Sequence, residues 1–117
     1  MFKIKLFKQV IMTKVEVISL IQQKILRDKL KDKSEFTQKN IMLILDSFFD
    51  VVKDNVSKGE HIELRGFGTF ETKIREPKKA INPRTKESII VTRHAVPVFK
   101  PGKDLKELVR KLNIDNK

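Results

Sequence analysis

No cysteine occurs in the chain, which removes disulfides, thiolate metal sites and thiol nucleophiles and fits a reducing compartment. Tryptophan and tyrosine are also absent and the eight aromatic residues are all phenylalanine, so rings suited to stacking on unpaired bases are scarce. His61 and His94 are the two imidazoles, and each sits in a strand-like context without a second ligand at metal spacing. There is no Gly-rich phosphate loop, nucleophile elbow or zinc-binding His pair. Gly66-Phe67-Gly68 leads into a strand, where a dinucleotide fold needs a helix. The carboxylates lie scattered among lysines, as on a solvated surface. An enzyme is therefore not expected, nor a metal, another cofactor or a small-molecule substrate. No apolar run approaches the roughly 20 residues of a membrane span, so a soluble protein is expected. The 117 residues suffice for one domain and are too few for two with ordinary cores.

Acidic residues are in short supply, 15 against 26 Lys and Arg, for a net charge of +11. Where the excess lies is more informative than its size. Residues 12–71 carry ten of each sign, whereas residues 72–103 carry nine basic and two acidic. The first eleven residues add +3 and the last fourteen +1. A neutral body with its excess on one continuous segment points to an appendage that meets a polyanion. A lysine-rich solvated surface would explain the total but not the segregation.

Residues 1–11 alternate apolar and basic side chains without an acid. They form a basic N-terminal extension, read as a weakly ordered arm, a membrane-surface or targeting segment, or translation from a start upstream of Met12. The domain proper is expected over 12–112, with 113–117 as a tail. In Thr13-Lys14-Val15-Glu16 the threonine can cap the amide of Glu16 while Glu16 reaches back, which starts a first helix. Its apolar stripe, Val15, Ile18, Ile21, Ile25 and Leu26, runs to about Leu30. After a polar connection, Thr37 caps a second helix ended by Gly59. The apolar surface of that helix, from Ile41 through Phe48 and Phe49 to Val56, is too wide for one partner. From His61 the period becomes two, first at Ile62 and Leu64, then at Phe70, Thr72 and Ile74. A further strand is expected over 89–99, with Pro97 confining it to an edge or a bulge. A short helix starting near Lys103 or Asp104 carries Leu105, Leu108, Val109 and Leu112 on one face. The fold class is α+β: two N-terminal helices, a three-stranded antiparallel sheet with an extended β-ribbon arm at about 73–93, and a short C-terminal helix.

Between Glu76 and Ser88 almost nothing is apolar. Two strands continuing as a hairpin would have Ile81-Asn82-Pro83-Arg84-Thr85-Lys86 at the tip and Lys73, Arg75, Lys78 and Lys79 along the sides. Such cations can follow phosphates, Asn82 and Arg84 can bond acceptors on the minor-groove floor, and Pro83 can wedge between base pairs. Asn-Pro-Arg-Thr is also simply a good turn. With the arm left out of the core, fewer than about 80 residues remain per chain, which favours a dimer.

Gly66-Phe67-Gly68-Thr69-Phe70, Asn82-Pro83 with Thr85, and Phe99-Lys100-Pro101-Gly102-Lys103, in register without gaps, resemble the signatures of the HU/IHF family of bacterial histone-like proteins over about 12–112. The resemblance implies an intertwined dimer, a homodimer or a heterodimer with a paralogue, that bends or compacts double-stranded DNA with little sequence specificity in the cytoplasmic nucleoid. It implies that Pro83 intercalates, that Lys73, Arg75, Lys78, Lys79 and Arg84 contact DNA, and that Lys103 meets phosphate. Lys14, Arg65, Lys86, Arg93 and Lys100 join the expected DNA contacts, and Phe48, Phe67, Phe70 and Phe99 the dimer core. The chain departs from the family in having Ala80-Ile81 where Gly-Arg is usual and Lys86 where Gly is usual; Ile81 could add an apolar contact beside the wedge. Alternatives are a sequence-preferring, IHF-like bending protein, or a basic protein acting on RNA or an anionic membrane surface.

Overall fold

The computed structural model describes residues 11–28 and 33–112, and the expectations for the N-terminal extension up to residue 10, for Leu30 and for the tail fall outside these. The chain divides into two units, 1–51 with 110–117, and 52–109.

In the first unit α1 spans Lys14–Arg27 and begins with the expected reciprocal cap. The Thr13 amide donates to Glu16 Oε1 at 2.9 Å and the Glu16 amide to Thr13 Oγ1 at 3.4 Å. These bonds satisfy donors that the first helical turn leaves unpaired. They also hold the Glu16 carboxyl below its ordinary range, the Thr13 amide being the larger cause and the Thr13 hydroxyl the next. Helix α2 spans Gln38–Val56, and Thr37 Oγ1 accepts the Asn40 amide at 3.1 Å as its N-cap. Ile18 and Ile41 are the buried apolar residues among the described residues of this unit. Gln22 Nε2 donates to the Phe36 carbonyl at 3.1 Å and ties the connection to α1.

The second unit opens with the last turn of α2. There the Gly59 amide donates to Val56 O at 2.9 Å and the Glu60 amide to Asn55 O at 3.0 Å, with Gly59 at φ 85°. This pair of bonds closes the helix on a left-handed residue that glycine adopts without a Cβ penalty. Strands β1 (Ile62–Leu64), β2 (Gly68–Arg75) and β5 (His94–Pro101) form an antiparallel sheet in the order β1-β2-β5. Strands β3 (Lys78–Ile81) and β4 (Ser88–Val91) form a separate two-stranded ribbon, and α3 spans Lys103–Arg110. The expected continuous strand over 89–99 is interrupted at Thr92-Arg93, across from the interruption at Glu76-Pro77 on the other side. Proline supplies no amide to a ladder, and the break accompanies it. Leu112 lies beyond the end of α3. Pro97 stands in β5, an edge strand as expected, opposite Thr72.

Strand register gives the sheet two unlike faces. Phe70 pairs with Ile62 on one side and Phe99 on the other, and Thr72 with Pro97, making an apolar face. Thr72 Oγ1 donates to Val56 O at 2.6 Å and ties that face to the end of α2. The opposite face carries Glu71, Lys73 and Arg75 of β2 and Lys100 of β5. Gly68 permits the close approach of β5: a Cβ there would lie 2.5 Å from Phe99 Cζ and 2.6 Å from the Lys100 carbonyl oxygen.

Candidate nucleic-acid interface

The ribbon is defined by its register, Lys78 opposite Val91, Lys79 opposite Ile90, Ala80 opposite Ile89 and Ile81 opposite Ser88. No residue from 76 to 94 is buried, the apolar run Ile89-Ile90-Val91 included. Its tip is built around Asn82. The Asn82 amide donates to Glu87 O at 2.9 Å and the Lys86 amide to Asn82 O at 2.7 Å, closing the loop. The Asn82 side-chain oxygen accepts the amides of Arg84 at 2.8 Å and Thr85 at 3.4 Å. Pro83, fixed in φ by its ring, is thus held exposed between two pinned residues. Sequence reasoning gave Asn82 a bond to the groove floor. Here its oxygen is engaged within the tip itself, and its amide nitrogen is the end that can still donate outward. Lys86 takes φ 64°, a left-handed conformation that costs a side-chain-bearing residue roughly 1 kcal/mol. This is the position where the resemblance has glycine, so the departure leaves the turn in place at a cost in strain.

The other expected contact residues are distributed unequally. Lys73 and Arg75 extend along one face of β2 toward the ribbon, and both are exposed. Lys78 and Lys79 follow on opposite faces of β3, and Arg84 and Lys86 flank the tip. Arg65 stands in the turn before Gly66, which has φ 83°. Lys103 is the first residue of α3, where free helix amides and a cationic side chain together suit an anion.

Among the described residues, three of the expected contact cations are already engaged. Lys100 Nζ lies 3.0 Å from Glu71 Oε2, and Arg93 Nε 3.5 Å from Glu76 Oε1. In the first unit Lys14 Nζ lies 2.9 Å from Asp46 Oδ1. Among the described residues Glu71 is the buried charged one, and its carboxyl is held below the ordinary range first by the hydrogen bond from Lys100, against the opposing effect of burial. The charges of Lys100, His61 and Lys73 add to the same direction. Neither Glu71 nor Glu76 stood out in the sequence; an acid within so basic a segment is the signal that could have marked Glu76, and Glu87 shares it.

Phe99 lies between Phe70 and Phe67, at ring-centroid distances of 4.9 and 5.3 Å. Phe67 and Phe99 remain substantially exposed in the single chain. Phe48 belongs to the first unit, beside Phe49 at 6.1 Å. In the second unit Val52, Val56, Thr72, Val96 and Pro97 line an open apolar groove. Among the described residues no group of three metal-binding side chains is assembled.

A family model described as bacterial DNA-binding protein matches residues 12–110. The DNA-binding protein HU of Clostridium pasteurianum is 45% identical over 80 residues, covering 68% of this chain and 88% of that protein. HU of Thermotoga maritima is 38% identical over 99 residues, covering 85% of this chain and all of that protein (100%). Among solved structures, the Anabaena HU–DNA cocrystal structure superposes with a TM-score of 0.71 at 28% identity, covering 86% of this chain and 99% of that one.

Proposed function

The chain belongs to the bacterial DNA-binding protein family, and from that premise we propose that it is a dimeric architectural protein whose two ribbons enter the minor groove and bend the duplex. It acts on DNA and carries out no catalysis. The observation that carries this reading is the ribbon at 78–91, cation-lined and nowhere buried, with an exposed Pro83 held at a hydrogen-bonded tip. A rigid apolar ring at the end of a basic arm is the combination that unstacks a base step while phosphate contacts keep the arm seated. Bending a short site costs on the order of 1 to 6 kcal/mol, which added contacts on the flanks offset.

Within this reading Ile81, Pro83 and Arg84 meet the groove, and Lys73, Arg75, Lys78, Lys79 and Lys86 follow the backbone. Lys14, Arg65, Arg93, Lys100 and Lys103 touch phosphates on the wrapped flanks, and Asn82 shapes the tip and donates through its amide nitrogen. The domain runs over 12–112. A second copy, or a paralogue, covers the apolar surface that one chain leaves open. Among the described residues three apolar side chains are buried, Ile18, Ile41 and Val56, while twenty large ones are exposed, including Phe48, Phe67 and Phe99. Burying those rings against a partner supplies what so small a core lacks. The protein would work in the cytoplasm, on the nucleoid; among the described residues no helix is long and apolar enough to cross a membrane.

Mobility-shift titrations with linear, nicked and cruciform DNA at two salt concentrations test the reading. Binding that falls steeply with salt on every duplex is expected, and binding indifferent to salt would remove the phosphate-following arm.

A further inference from the structure

Phosphate contact does not require an apolar surface on the arm, yet Ile81 and Ile90 are 65% and 71% exposed. Register sets them diagonally adjacent on one face, Ile81 opposite Ser88 and Ile90 opposite Lys79. On the other face Ala80 and Val91 are half-buried and Ile89 is 45% exposed, less than either Ile81 or Ile90. The two isoleucines thus form a narrow branched apolar pad, one residue removed from Pro83. A pad two side chains wide is far below the roughly 1,000 Å² that a specific protein interface needs. It does match the minor groove, about 6 Å across and walled by deoxyribose. Lys79 on the same face and Arg84 and Lys86 at the tip leave the surroundings cationic, which suits a groove bordered by phosphates and not an apolar protein patch.

Resting on the DNA-binding reading above, we propose that Ile81 and Ile90 lie on the minor-groove floor and give the arm a preference for A·T pairs. A·T pairs present a smooth floor of N3 and O2 acceptors, whereas each G·C pair raises the guanine N2 amino group into it. That group holds a branched side chain off the floor, and if covered it loses water without gaining a partner. The resulting discrimination is one of base composition, not a recognition sequence, because the pad makes no directional bonds.

The full-length protein is titrated against two duplexes of equal length, one containing guanine and one with inosine in its place, which deletes only the N2 amino group. A third duplex carries 2,6-diaminopurine for adenine, adding that amino group to A·T pairs. Wild type binds the inosine duplex about fivefold or more tightly than the guanine duplex, and the diaminopurine duplex more weakly than its adenine parent. The double variant Ile81→Ser, Ile90→Ser, whose circular dichroism reports whether it is folded, binds all of them with the ratios reduced to near one. Equal wild-type affinities for guanine and inosine duplexes overturn the inference while leaving the DNA-binding reading intact. Ratios that persist in the folded double variant overturn the assignment to these two residues. Failure of wild type to bind any duplex overturns the DNA-binding reading itself, and the inference with it.

Discussion

The side-chain oxygen of Asn82 accepts the backbone amide of Arg84 at 2.8 Å, bridging over Pro83 so that the proline ring projects from a closed loop. The bond is local and exposed, so its loss should loosen the tip without unfolding the protein. Asn82→Ala is expected to raise amide hydrogen exchange at Arg84 and Thr85 and to weaken DNA binding several-fold. A single exposed hydrogen bond is worth about 1 kcal/mol, and the melting temperature should barely move. Exchange followed by NMR, with melts in parallel, checks both halves.

Lys86 carries the strain of a left-handed backbone and also contributes a tip cation, and substitutions separate the two. Lys86→Asn tolerates the conformation better but removes the charge. The slope of log affinity against log salt should become shallower by about 0.9 for each phosphate that is no longer neutralised, while the melting temperature holds or rises. An unchanged slope would take Lys86 away from DNA.

Helix starts and stops were legible because their causes are local. Thr13 with Glu16, Thr37, and Gly59 each act on amides or carbonyls a few residues away, and each does in the structure what its chemistry predicts. The strands were legible from period-two alternation, and the tip of the ribbon from the near absence of apolar residues over 76–88. The Glu76–Arg93 and Glu71–Lys100 pairs were not, because each joins residues on different strands and needs the register to be known first. The interruption at Thr92-Arg93 escaped for the same reason: residues 89 to 99 alternate adequately on their own, and the break is visible only opposite Glu76-Pro77. The DNA-facing cations were legible as types and positions, but not which of them enter binding already paired.

Glu71 gives the stability a defined pH dependence. Its folded carboxyl lies below the ordinary value of 4.5, chiefly because Lys100 donates to it, so the ionised form is favoured in the fold. That stabilisation is complete above the unfolded value and is lost as pH falls through the lower folded one. Glu16, held down by Thr13, acts in the same direction. Thermal melts between about pH 6 and pH 3 should show a falling melting temperature on the acid side, and Glu71→Gln should make that decline shallower. An identical profile for wild type and variant would deny Glu71 the role.

Gly68→Ala tests the close passage of β5 over β2. The added methyl would meet the Lys100 carbonyl at 2.6 Å, and backbone cannot rotate away as a side chain can. A loss of about 1 to 3 kcal/mol is expected from chemical denaturation.

The wedge role proposed for Pro83 is read most directly by end-to-end energy transfer on a doubly labelled duplex. Wild type should shorten the end-to-end distance as it binds, and Pro83→Ala should bind with nearly unchanged affinity but bend the duplex less. Equal shortening by the two proteins at saturation would contradict it.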